Sequence, residues 1–243
     1  VALAWGLPQV PAFERAITQG YSGAAGWFFL HGVTPSKQLA PSHAQIVRLL
    51  NLVRNDAEIT EIEGVLKQDV TLPYKLLRYI NSAGFGLMVE VQSFRHAVTI
   101  LGRDKLNKWL SLLLVSASKD PTAPAVMQAA LARARMMEIL GAHFFDKGQL
   151  DNLFITGAFS LLSVLLGTSM EVVLDQMTLP EPVRDALLQG EGAYAPLLKL
   201  AVASETFMPD QLRKQAEQLG LSDQEITSAL LQAVAFADEL NFN

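Results

Sequence analysis

The chain has 243 residues, half of them apolar, with 19 Lys and Arg against 24 Asp and Glu, a net charge of −5 and no cysteine. That length suffices for one large core or two small ones, and the mean hydropathy of +0.25 predicts well-buried helices. The acidic balance argues against nucleic acid as a main partner, and the absence of thiols excludes disulfides and thiolate metal sites, in keeping with an expected cytoplasmic location.

Residues 1–38 differ from all that follows. The opening VALAWGLPQV has neither a basic leading segment nor a long apolar run, so no secretory signal is expected. Residues 13–19 read as a helix. Gly6, Gly20, Gly23, Gly26 and Gly32 punctuate the segment, 22–25 reads as a loop, and Trp27, Phe28, Phe29 and Leu30 form a short apolar run of strand type. The polar, proline-flanked stretch 36–41 marks a boundary.

Helices are expected from there to the end. Ser42 with Gln45 spells a capping box for a helix carrying Ile46, Leu49, Leu50 and Val53 on one face, and Thr60 with Glu63 spells another. Glu58, Glu61 and Glu63 fit the positive end of that helix better than acid/base chemistry. The stretch LPYKLLRYINSAGFGLMVEVQSFRHAVTIL, residues 72–101, predicts a helix bearing Leu76, Leu77 and Ile80, a structured loop with Phe85 between Gly84 and Gly86, and a second helix from Ser93 that stops at Gly102. Residues 104–117 repeat Leu106, Trp109, Leu110, Leu113 and Leu114 at helical spacing, which places Trp109 in a core.

Pro121 and Pro124 separate a first half, 39–119, from a second, 120–243. A long helix is predicted over 125–144, with Met127, Leu131, Met136 and Leu140 as inner positions. The stretch 151–166 is apolar on nearly every face, yet Thr156, Gly157, Ser160 and Ser163 keep it short of the ~18 unbroken apolar residues of a membrane span. Gly157 within it costs about 1 kcal/mol relative to alanine, so a close helix approach is its expected reason. Thr168 with Glu171 reads as a further cap. Pro180 and Pro182 open a helix that ends at Gly190, Pro196 opens the next, Pro209 another that ends at Gly220, and Ser222 with Glu225 boxes the last.

The string LLRYINSAGFG, followed by SFRHAVTILG and DKLNKWLSLLL, resembles the HDOD family, a bacterial signalling domain related to HD-type metal phosphohydrolases. The family pattern falls on Leu76, Leu77, Arg78, Asn81, Ser82, Ala83, Phe85, Gly86, Ser93, Ala97, Leu101 and Gly102, and the resemblance extends over about 39–236. It implies an all-α domain of two helical halves. Arg78, Asn81, Ser82, Gly84, Phe85 and Gly86 are then motif residues with either a structural role or a place on a partner surface. The N-terminal AITQGYSGAAGWFFLHGVTPS looks like the closing segment of an EAL domain, a cyclic-di-GMP phosphodiesterase barrel. Some 40 residues cannot close a barrel of ~250, so residues 1–38 are expected to be the remnant of a longer protein, the alternative being a lone N-terminal extension.

HD-type enzymes grip metal ions with histidines and a His-Asp dipeptide to activate water. None of His31, His43, His96 and His143 precedes an Asp, and the resemblance puts Ser160 and Leu161 in the dipeptide's place. His143 and Asp146 lie about 300° apart around a helix, a poor site, and His143 is better read as facing the last helix carbonyls. No P-loop and no nucleophile-elbow motif occurs. Arg133 and Arg135, with Arg103, Lys105 and Lys108, read as a solvated helix face. In an alternative reading Arg133 or Arg135 is an anion contact. The resulting expectation is a module that is not an enzyme and has no cofactor or metal. It works through other signalling proteins or an EAL-like domain, in a cyclic-di-GMP context, without nucleic acid or membrane as partners. The alternative is a sensor of a nucleotide or phosphate ligand in a degenerate HD-type pocket.

Overall fold

The computed structural model describes residues 2–7, 9–27, 38–66, 68, 94–116, 123–206 and 208–239. Among these, twelve helices and two three-residue strands supply the regular structure, so the fold is all-α. The motif residues Arg78, Asn81, Ser82, Gly84, Phe85 and Gly86 lie outside the described residues, as do Phe28, Phe29 and Leu30.

The chain opens with strand β1 (Leu3–Trp5), helix α1 (Val10–Thr18) and strand β2 (Gly23–Ala25). The strands pair in parallel, Leu3 with Gly23 and Trp5 with Ala25. Parallel neighbours need a crossover between them, and α1 provides it. The helix expected at 13–19 is present, but the predicted loop at 22–25 is mostly strand, and Trp27 lies outside any strand. A glycine and two alanines carry too little side chain to announce a strand; backbone pairing with Leu3–Trp5 creates it. Leu7, Phe13, Trp27 and Leu39 pack, partly buried, against the helical body.

Helices α2 (Pro41–Arg54), α3 (Ile59–Leu66) and α4 (Phe94–Val115) follow. The apolar face of α2 buries Ile46, Leu49, Leu50 and Val53 as the spacing predicts. The helix starts before Ser42: Pro41 is its first residue, with Ala40 as a cap that makes no side-chain bond. Gln45 donates its amide to the Val65 carbonyl at 3.1 Å, tying α2 to α3. Helix α3 likewise begins before Thr60, and the Glu58 carbonyl accepts the Glu61 and Ile62 N–H groups. Gly102, at φ 74° and ψ 172°, breaks α4 into 94–101 and 103–115, at the stop its sequence predicts.

The second half comprises α5 (Ala123–Gly141), α6 (Lys147–Phe159), α7 (Leu162–Leu166), α8 (Met170–Asp175), α9 (Glu181–Leu188), α10 (Ala195–Glu205), α11 (Pro209–Leu219) and α12 (Asp223–Glu239). Helix α5 is its centre, packed by α6, α10 and α12. The apolar stretch 151–166 is two helices rather than one, because Ser160 ends α6 and its hydroxyl donates to the Gly157 carbonyl at 2.7 Å. Residues Leu153, Phe154, Ile155, Thr156, Gly157, Ala158 and Phe159 are all buried, as an all-round apolar helix requires. Asp146 and Gln149 form a capping box for α6, Ser222 and Glu225 one for α12, and Gly220 closes α11 in the left-handed conformation. The cap of α8 is Ser169, accepting from the Val172 N–H, and not Thr168. One core runs through both halves, with Leu50, Leu110, Leu131, Phe154 and Leu200 among its members. No helix among the described residues is long and apolar enough to cross a membrane.

Candidate functional site

Gly157 brings the backbones of α5 and α6 together: a Cβ built on it would lie 2.5 Å from the Ala134 Cα. That approach sets Arg133, one residue before the contact on α5, beside Ser160, three residues after it on α6. Arg133 is buried, with 4% of its surface exposed. Its Nη1 donates to the Ser160 hydroxyl at 3.1 Å and its Nε to Glu205 Oε2, at the end of α10, at 2.7 Å. From the N-terminal unit, the Trp27 ring stands 5.9 Å from the Arg133 guanidinium carbon. Burial pushes the Glu205 carboxyl up to about 7, against the opposing pull of Arg133. Neither partner can be lost cheaply, since a lone buried charge costs several kcal/mol.

This is the place where the resemblance puts the dipeptide that grips a metal ion. A divalent cation needs carboxylates or imidazoles with an open position. The residues present are a hydroxyl engaged on both sides, the buried hydrocarbon of Leu161, and a carboxylate already bonded to a guanidinium. They do not fit such an ion: Arg133 brings a fixed positive charge to where the metal's would be.

The other candidate residues are dispersed. Arg135 Nη1 donates to Glu138 Oε2 at 2.5 Å while its guanidinium lies 5.5 Å from the Phe236 ring; Lys108 binds the same carboxylate and sits 4.0 Å from the Phe154 ring centre. Arg103 pairs with Asp56 at 3.4 Å. The single solvated face expected of these cations therefore does not exist, because Arg133 points inward. His143 does not serve the helix carbonyls with its ring; its Nε2 is 4.0 Å from Glu225 Oε1, while Asp146 caps α6. Sequence reasoning missed Glu205. The available signal was a lone carboxylate ending the apolar run APLLKLAVASE.

The fold is that of an all-helical domain packed around this buried ion pair. The HDOD domain model matches residues 38–168, more than half the chain, and the chain belongs to that family. The match includes Arg133, Ser160 and Leu161 and ends at Thr168, short of the expected reach to Phe236. Two curated relatives align along nearly the whole chain. The protein named Cyclic di-GMP phosphodiesterase CdgJ of Vibrio cholerae serotype O1 is 28% identical over 231 residues, 94% of this chain and 54% of that protein. Uncharacterized protein YuxH of Bacillus subtilis (strain 168) is 24% identical over 233 residues, 94% of this chain and 56% of that protein. The chain spans about half the length of the curated relatives it matches. No solved structure gives a significant match.

Proposed function

We propose that this chain is a non-catalytic signalling module of cyclic-di-GMP regulation, acting through protein contacts or interdomain rearrangement. The observation that carries the reading is the Arg133 guanidinium held between Glu205 and Ser160, where related hydrolases hold a cation. Without a gripped metal there is no activated water for a phosphodiester. The name of the Vibrio relative supports the signalling context.

The parallel β1–α1–β2 unit supports an origin of residues 1–38 in a βα barrel of the EAL type, since strand, crossover helix and parallel strand is the repeating unit of such barrels. Trp27, lying against Arg133, makes this unit the nearest interdomain partner of the helical body. The alternative sensor pocket has less support, because both of its candidate cations are already bonded to carboxylates, Arg133 to Glu205 and Arg135 to Glu138.

The test is incubation of the purified chain with cyclic di-GMP and with a generic phosphodiester at pH 8 in Mn²⁺ or Mg²⁺. No turnover above the buffer rate is expected. Metal-dependent turnover abolished by Ser160→Ala or Asp146→Ala contradicts the proposal.

A further inference from the structure

A second polar cleft lies away from the Arg133 centre, on the seam between the halves. It is a cavity of about 440 Å³ between the end of α2, the start of the second segment of α4, α6, and the loop between α8 and α9, with Arg54, Arg103, Asn107, Asn152 and Thr178 in its wall. The volume lies in the range of small-molecule sites.

Arg54 is the unusual member. Its Nε donates to Asn107 Oδ1 at 2.7 Å and its Nη1 to the Thr178 carbonyl at 2.6 Å, so its bonded partners are neutral. Among the described residues no carboxylate lies within ion-pair distance of it. Its Nη2 is buried with no acceptor among the described residues, and the same holds for Nη1 of Arg103 across the cleft. Burial draws the Arg54 pKa down to about 10, still far above neutral, so it remains a cation without a counterion. Among the described residues Arg103 has only Asp56 as a carboxylate partner, whose side chain is 83% exposed and 3.4 Å away. Such a pair adds little and is readily exchanged for a stronger acceptor.

Two guanidiniums lining one cleft, neither held by a buried carboxylate among the described residues, are the chemistry that holds phosphate, whose several oxygens accept from planar forks. We infer that this cleft binds a phosphate-bearing anion of up to mononucleotide size, with Arg54 and Arg103 as its clamp. Asp56 and Asp104 at the rim reduce the net positive charge and keep the affinity modest. Because α2 and α4 come from one half and α6 and the 178–180 loop from the other, a bound anion bridges the halves. The inference does not depend on catalytic silence, since it concerns binding at a different place.

Isothermal titration of the whole chain with inorganic phosphate, pyrophosphate, GMP and cyclic di-GMP tests it. Saturable binding of phosphate or pyrophosphate is expected. A tighter GMP isotherm identifies a nucleotide as the source of the phosphate, and an equal one identifies the free anion. Arg103→Gln should weaken binding about tenfold or more. Arg54→Lys, which keeps the charge but loses the fork, should do the same, while Arg135→Gln leaves binding unchanged. Arg103 is partly exposed, so its variant keeps the experiment decisive if changes at Arg54 impair folding. No saturable binding of any probe up to about 10 mM, or equal affinity in both clamp variants and the wild type, overturns the inference.

Discussion

Arg133 Nε donates to Glu205 Oε2 across 2.7 Å in the interior of the second helical half, and the pair gives the protein a characteristic response to pH. Glu205 holds its proton more tightly in the folded chain, at about 7, than at the ordinary value of 4.5. Between those values the folded state binds more protons than the unfolded one. The contribution is therefore fully present below about 4.5 and is lost as pH rises to about 7. Glu205→Gln should flatten the stability profile across this window, by on the order of 1–3 kcal/mol relative to the wild type. Urea midpoints measured at steps through the window check it; parallel profiles for the two proteins contradict it.

Gly157→Ala puts a methyl group where the Ala134 backbone already lies, 2.5 Å from its Cα. Alanine gains about 1 kcal/mol in helix propensity, and overpacking costs about 1–3 kcal/mol because backbone cannot rotate away. The expected net effect is a loss of up to about 2 kcal/mol with unchanged denaturant dependence. A stabilised variant would show that the two helices are not held this close.

Asn51 on α2 donates to the Gln176 carbonyl at 2.6 Å and accepts from the Thr178 N–H at 2.8 Å. This clasp joins the first half to the α8–α9 loop. Asn51→Ala should cost about 1–2 kcal/mol and speed hydrogen exchange at the Thr178 amide more than elsewhere in the loop. Unchanged exchange at Thr178 would contradict the clasp.

Trp27 is the N-terminal unit's contact with the buried pair. Trp27→Ala should cost about 1 kcal/mol of stability without loss of helical signal, and Trp27→Phe should recover part of it. Equal stability of all three proteins would place no coupling there.

Much of the architecture is legible in the sequence because helices announce themselves through apolar spacing and terminators. Gly102, Gly220 and the Ser222–Glu225 box sit where the text of the chain puts them. Gly157 is the clearest case: one propensity-breaking residue within an apolar helix predicts a close crossing, and the crossing is there. Caps that depend on a single starting residue are less legible, since Pro41 and Ser169 each move a helix start by a residue or so from the predicted box. The β1–β2 pair is hidden because three-residue strands lack a period and owe their pairing to a distant segment. The Arg133 centre was half legible. Ser160 and Arg133 stand out separately, but Glu205 is 72 residues from Arg133, and only packing of α10 on α5 brings them together.

The central claim is that a guanidinium has taken the place of a metal ion. Equilibrium dialysis of the chain against micromolar Mn²⁺, followed by elemental analysis, addresses it most directly. The account predicts no stoichiometric metal in the wild type. One tightly held Mn²⁺ per chain, lost in Ser160→Ala and in Glu205→Gln, would contradict it.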